Sequence, residues 1–259
     1  MRVLFIGDIF AKPGLVVTET YLNKFRDQYD FIIANGENIA GGFGITRKHF
    51  DQLIDLGVDV VTLGNHSWDQ REVFSLVEES NRIIRPLNYP TGTPGLGHTT
   101  LESRTGERIT VIQAMGRIFM EPLDCPFTAI DDALETLSTN TVIVDFHAEA
   151  SSEKKVMGYH LAGRVAAVVG THTHVQTADE LIKKGTAYIT DVGMTGVQDS
   201  SIGMRFEEVH KRFVMKLPAR YKPADRPGTL CGLELDIEAG KTRALKRLQW
   251  QAEEMTGEA

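Results

Sequence analysis

Five apolar runs in this chain stop abruptly at polar residues. Val3 to Ile6 leads to Gly7-Asp8, and Phe31 to Ala34 leads to Asn35-Gly36-Glu37-Asn38. Val60-Val61-Thr62-Leu63 leads to Gly64-Asn65-His66, Val142 to Phe146 leads to His147, and Ala166 to Val169 leads to Gly170-Thr171-His172-Thr173-His174. Short runs rich in β-branched residues and bounded by turn residues read as buried strands.

Between these runs the apolar positions recur at helical spacing. Pro13-Gly14 opens a helix that reaches about Asp27, with Leu15, Leu22 and Phe25 turned to the core. Thr46 is expected to cap a helix carrying Phe50, Leu53 and Ile54 on one face, with Gly57 ending it. Further helices are expected near 69–79, 126–138 and 151–161, and further strands at 109–113 and 186–190. Residues 86–98 hold three prolines and three glycines and read as an irregular loop. The polar stretch from 195 to 228, with Pro218, Pro223 and Pro227, is assigned no regular element. Residues 229–237 and 243–250 alternate like the two strands of a closing hairpin around Glu238-Ala239-Gly240-Lys241.

Strands alternating with helices imply an α/β fold with parallel strands. In such folds chemistry collects beyond the carboxyl ends of the strands, so the five polar ends are expected to meet. With 259 residues and no clear linker, the chain is expected to form one domain over 1–259.

Composition narrows the function. A formal charge of −7, from 35 acidic and 28 basic residues, argues against a broad surface for nucleic acid or anionic membrane. Cys125 and Cys231 are the only cysteines, so neither a disulfide framework nor a cysteine metal knuckle is indicated. No secretory pattern and no run near the roughly 20 apolar residues of a membrane span is present, so a cytoplasmic protein is expected.

Each polar candidate has an ordinary explanation when taken alone. Asp8 and Asn65 suit turns, Glu37 and Asn38 suit a helix cap, and His147 suits a buried, hydrogen-bonded histidine. Gly41-Gly42-Phe43-Gly44 is either a plain turn or a loop whose amides approach a phosphate. His172 and His174 are harder to dismiss, because an i, i+2 pair beyond a strand end can turn both imidazoles into one cavity. Five separate ends supplying carboxylate, amide and imidazole donors point to a two-metal hydrolytic site.

Gly7-Asp8, Gly64-Asn65-His66, His147 and the Thr171 to His174 run together resemble the calcineurin-like metallophosphoesterases. Gly7-Asp8-Ile9-Phe10, Asn35-Gly36-Glu37-Asn38, Gly64-Asn65-His66-Ser67-Trp68-Asp69 and Asp191-Val192-Gly193-Met194-Thr195-Gly196 resemble the YmdB-like bacterial branch. The resemblance implies a β-sandwich of mixed sheets flanked by helices and covers nearly the whole chain.

Two positions depart from the wider pattern. The first motif usually reads Asp-x-His, whereas here it is Asp8-Ile9-Phe10, and the usual bridging aspartate is Glu37. The amide oxygen of Asn38 is inferred to take the missing histidine's place. By resemblance, Asp8, Glu37, Asn38 and His174 hold one metal, and Glu37, Asn65, His147 and His172 hold the second. Glu37 bridges, and a metal-bridging hydroxide attacks in line with the scissile bond. His66 is offset from these ligands and is the candidate for protonating the leaving alcohol or stabilising the phosphoryl oxygens, with Asp69 orienting it; the ordinary alternative is a structural hydrogen bond.

Two divalent ions against Asp8 and Glu37 leave a site two charges positive, or one after a hydroxide is added. That balance suits a phosphodiester monoanion better than a monoester dianion. The resemblance also implies cyclic nucleotides, 2′,3′-cyclic ones included, as the small phosphodiester substrate. Mixed oxygen and nitrogen ligation favours iron or manganese and admits zinc. The competing readings are a phosphomonoesterase or nucleotidase on the same site and a non-catalytic, nucleotide-sensing regulator. A homo-oligomer is compatible with either.

Overall fold

The computed structural model describes residues 1–252, and the end of the expected 1–259 domain lies outside them. Twelve strands form two six-stranded mixed sheets. The first sheet holds β1 (Arg2–Ile6), β2 (Phe31–Asn35), β3 (Val60–Thr62), β4 (Ile83–Ile84), β11 (Leu230–Glu238) and β12 (Lys241–Trp250). Their order is β12-β11-β1-β2-β3-β4, with β1 to β4 parallel and the C-terminal hairpin added antiparallel to β1.

The second sheet holds β5 (His98–Glu102), β6 (Arg108–Met115), β7 (Val142–His147), β8 (Ala167–Thr171), β9 (Leu181–Lys183) and β10 (Thr186–Ile189). Their order is β5-β6-β7-β8-β10-β9, with a parallel centre from β6 to β10 and an antiparallel strand at each edge.

The period-2 geometry of a strand sorts each apolar run between two cores. Val3 and Phe5 of β1 face inward and pack with Val111, Ile143, Val169 and Ile189 of the second sheet. Leu4 and Ile6 face outward, against α1 (Ala11–Phe25), α2 (Arg47–Asp55) and α3 (Val73–Glu79). In the second sheet Val142, Val144 and Phe146 face α4 (Pro126–Thr136) and α5 (Ser151–His160). The strands read as continuous apolar runs because both faces are covered.

The five polar ends therefore belong to two sheets instead of one. The carboxyl ends of β1, β2 and β3 come from the first sheet, and those of β7 and β8 come from the second. They meet at one edge of the sandwich.

Several boundaries differ from the sequence reading. Helix α1 begins at Ala11 and stops at Phe25, followed by a 3₁₀ turn over Arg26–Gln28. Helix α3 starts at Val73 instead of 69. Thr46 occupies the extended N-cap position of α2, but its hydroxyl bonds His49 Nδ1 at 2.9 Å instead of a backbone amide. Gly57, at φ 90°, ends that helix as expected.

Residues 86–97 are irregular, wrapped around the Arg85 guanidinium, which donates to the carbonyls of Pro86, Thr93, Pro94 and Gly95. His98, the last residue of the expected loop, already begins β5. The expected structureless stretch contains α6 (Phe206–Met215). Strands β4, β5 and β9 were also unexpected. The hairpin forms as read, and Ala239 and Gly240, at φ 49° and 74°, make its tight turn.

Candidate metal centre

Asp8 follows β1 directly and is fully buried. Its Oδ2 accepts a long bond from the His172 amide, at 3.4 Å, while Oδ1 has no hydrogen-bond partner. That oxygen lies 3.9 Å from His174 Nε2 and 4.0 Å from His147 Nδ1. A buried carboxylate oxygen without a donor is costly, and a cation removes the cost.

Beyond β2, Asn35 Oδ1 accepts the Glu37 amide at 3.1 Å and so shapes the turn that delivers Glu37 and Asn38. Glu37 is 1% exposed; Oε1 lies 2.9 Å from His147 Nε2, and Oε2 accepts the His66 amide at 2.9 Å. The Asn38 amide donates to the Gly42 carbonyl at 2.9 Å, which turns its Oδ1 to within 3.1 Å of His174 Nε2. Gly64 is required here, because a Cβ on it would lie 2.4 Å from both Glu37 Oε2 and His147 Nε2.

Three imidazoles face these oxygens, each with one nitrogen occupied from behind. Thr171 spends its hydroxyl proton on Asp145 Oδ1 at 2.6 Å, so it accepts from His147 Nδ1 at 2.9 Å. Nε2 of His147 is thereby turned to Glu37, to Asn65 Oδ1 at 2.9 Å and to His172 Nδ1 at 3.1 Å. His172 has Nε2 3.2 Å from Glu149, leaving Nδ1 to the site. His174 donates Nδ1–H to the Ile202 carbonyl at 3.0 Å, leaving Nε2 to Asn38 and Asp8. Ligand atoms of Glu37, His147 and His172 all lie within 4.8 Å of one another.

The charges fit this arrangement. Burial raises Glu37, but the His147 charge and hydrogen bond outweigh it and hold the carboxyl at about 2. Burial lowers His147, and Glu37, Asp8 and Asp145 reverse this to about 9. Burial and the neighbouring His147 charge push His172 down to about 3. Burial raises Asp8 despite His174 and His147. The three carboxyls around His147 thus favour a positive charge among them. Its mixed carboxylate, amide and imidazole donors fit divalent transition metals.

His66 stands apart from the donors. Its Nδ1 lies 2.7 Å from Asp69 Oδ2, its ring meets Phe43 edge-on at 5.2 Å, and its side chain is 27% exposed. The pairing with Asp69 leaves Nε2 as the nitrogen available to a ligand.

Sequence reasoning passed over several polar residues behind the site. Asp145, fully buried, accepts from Thr171, from the Thr62 hydroxyl at 2.5 Å and from Asn35 Nδ2 at 3.3 Å. Burial pushes it up to about 7 against the pull of His147 and these donors. An aspartate inside the apolar run Val142-Ile143-Val144-Asp145-Phe146 was the available signal. Glu149 follows His147 at i, i+2 and carried no comparable signal.

The model of the YmdB-like protein family matches residues 4–248. The chain is 45% identical over 251 residues to a 2′,3′-cyclic-nucleotide 2′-phosphodiesterase of Bacillus subtilis (strain 168), covering 95% of each chain. A crystal structure of a hypothetical protein from Thermus thermophilus superposes with a TM-score of 0.94 at 48% identity, covering 97% of this chain and 99% of that one. The crystal structure of a novel phosphatase from Mycoplasma pneumoniae gives a TM-score of 0.91 at 31% identity, covering 97% and 93%. The chain belongs to the YmdB-like family.

Proposed function

We propose that this chain is a metal-dependent phosphodiesterase that opens 2′,3′-cyclic nucleotides. The hydrolase assignment is supported by family membership and by the activity of the Bacillus subtilis relative. The observation that carries the metal-dependent part is the unpartnered, buried Asp8 Oδ1, which lies 3.9 Å from His174 Nε2, whose far nitrogen is engaged by the Ile202 carbonyl, and 4.0 Å from the His147 ring. Asp8, Glu37, Asn38 and His174 would hold one ion and Glu37, Asn65, His147 and His172 the other, with iron or manganese favoured and zinc admissible.

Two ions so held would supply Lewis acidity for activating water and drawing charge from the phosphoryl oxygens. The protein's own part is orientation and proton handling. Thr171, Glu149 and the Ile202 carbonyl fix the three imidazole tautomers. Glu37 takes the His66 amide on Oε2, which anchors the His66 backbone while its ring points elsewhere. Asp69 holds Nδ1, so Nε2 can carry the proton that the leaving ribose oxygen needs. Phe43 supplies a wall against that ring.

The second reading is a phosphomonoesterase on the same residues, favoured by the likeness to the Mycoplasma pneumoniae phosphatase structure. Protein reconstituted with Mn²⁺ or Fe²⁺ should be assayed against 2′,3′-cyclic, 3′,5′-cyclic, linear diester and monoester substrates. The proposal expects the 2′,3′-cyclic nucleotide to rank first by kcat/KM. A monoester in first place replaces it with the second reading. No helix of the described residues is long and apolar enough to cross a membrane.

A further inference from the structure

The Thr171 to His174 turn is strained. His172 and His174 have φ values of 100° and 65°, in the left-handed region that side chains with a Cβ rarely adopt. Something must hold the turn there, and the residues alternating with the two histidines show what does.

Lys154, on α5, is 1% exposed and donates to the Thr171 carbonyl at 2.6 Å and to Asp191 Oδ2 at 2.6 Å. Asp191, fully buried, receives the Thr173 amide on the same oxygen at 3.0 Å and the Thr173 hydroxyl at 2.8 Å. Its other oxygen accepts the Gly193 amide at 2.9 Å. The backbone is therefore gripped immediately before His172 and again between His172 and His174. Neither Lys154 nor Asp191 spends a hydrogen bond on an imidazole. Lysine is among the residues least often fully buried, and a buried ion pair contributes little net stability over an apolar pair of similar volume. Stability alone is a poor reason for this one.

We propose that Lys154 and Asp191 are positioning residues for the metal centre, a clamp that holds the 171–174 turn so that His172 and His174 each present a nitrogen to a different ion. This rests on the two-metal reading above. Supporting shells of this kind alter metal affinity by roughly 10- to 100-fold when removed.

The test is Mn²⁺ titration of the metal-stripped full chain, with free ion read by EPR, beside a thermal melt. The paired substitution Lys154→Met with Asp191→Leu removes both charges together, so neither is left uncompensated. It leaves the Thr173 and Gly193 amides without an acceptor, so it should lower the melting temperature somewhat, and it should weaken Mn²⁺ at both positions by roughly 10- to 100-fold. Thr173→Val keeps the branched shape and loses the hydroxyl donor; it should weaken both positions less, and Thr173→Ser should restore them. If the paired variant does not fold, the valine and serine variants decide between the outcomes.

Parental affinity in Thr173→Val and in a folded paired variant overturns the clamp, as does a lowered melting temperature with unchanged affinity. A parent protein that binds fewer than two ions overturns the metal centre itself, a result distinct from failure of the clamp alone.

Discussion

The two sheets bring different chemistry to the site. Every oxygen proposed as a ligand, from Asp8, Glu37, Asn38 and Asn65, leaves a strand end of the first sheet, and every imidazole proposed as one, from His147, His172 and His174, leaves the second. The support they receive differs as well. The oxygens are placed by backbone close at hand: Asn38 by the Gly42 carbonyl and Glu37 by the His66 amide and the Asn35 turn. Two of the histidines have side chains behind them, His147 through Thr171 and Asp145 and His172 through Glu149, while His174 is held by the Ile202 carbonyl. A carboxylate offers two equivalent oxygens and tolerates rotation. An imidazole has one free nitrogen per tautomer, so its other nitrogen must be held. The first sheet can be damaged by losing a donor, and the second by losing a donor's support.

The largest effect should come from the first sheet. Glu37→Gln removes the charge that faces His147 and holds the His66 amide. Activity should fall by about 10³-fold or more, corresponding to the several kcal/mol that metal-centred charge stabilisation supplies. Bound Mn²⁺ should drop at both positions, because Glu37 is proposed to bridge. Loss confined to the second position would break the bridging assignment.

His66→Ala comes next and tests neither sheet's donors. With a ribose hydroxyl leaving, kcat should fall by roughly 10² to 10⁴, the range of positioned acid catalysis. With a nitrophenolate, which departs without a proton, the loss should be much smaller, and metal content should stay unchanged. Equal damage to both substrates in a fully metallated variant makes His66 a phosphate contact and not an acid.

Asp145→Asn tests the deeper support of the second sheet. The amide can still accept from Thr171, but it cannot also serve as acceptor for both the Thr62 hydroxyl and Asn35. A buried donor left unmatched costs about 1 to 3 kcal/mol, which the melting temperature should show. Affinity at the second metal position should weaken by roughly 10- to 100-fold. A lowered melting temperature with unchanged affinity would reduce Asp145 to a structural role.

The same asymmetry decides what was legible in the sequence. Strands β1, β2, β3, β7 and β8 announce themselves, because each is an apolar run that stops at a donor. The division into two sheets is not written locally, since parallel runs buried on both faces look alike in either sheet. Strands β4, Ile83-Ile84, and β9, Leu181-Ile182-Lys183, each hold only one apolar pair, too short to set up a strand pattern. Helix α6 buries only Val209, so its segment reads as polar chain between prolines although it is regular. All eight site residues chosen from the sequence lie at the sandwich edge, because donors at strand ends are visible as residue types. Lys154, on a helix 17 residues before its partner Thr171, carried no signal, and Asp145, though visible as an acid inside an apolar run, bonds Thr171 from 26 residues away. Asp191 enters the sequence reading as the first residue of the Asp191 to Gly196 motif, with no partner assigned to it.

Glu149→Gln should have the smallest effect, and the most informative shape. Glu149 lies 3.2 Å from His172 Nε2 with its side chain 47% exposed, so water and salt screen its charge. Glutamine keeps the length, and its carbonyl oxygen can accept from the same nitrogen, so the tautomer is preserved while the charge is lost. The second metal position should weaken by about tenfold, the low end of the range for such partners, and the first should be unaffected. Added salt should narrow the gap between parent and variant, because only the charge differs. Glu149→Ala removes the acceptor as well, letting the His172 proton move to Nδ1, and should cost more than glutamine at any salt. These outcomes separate charge from tautomer control, a distinction that the buried Asp145 cannot offer. If alanine and glutamine match the parent in Mn²⁺ titrations at low and high salt, His172 needs no support from behind, and the contrast between the two sheets reduces to Asp145 and the 171–174 turn.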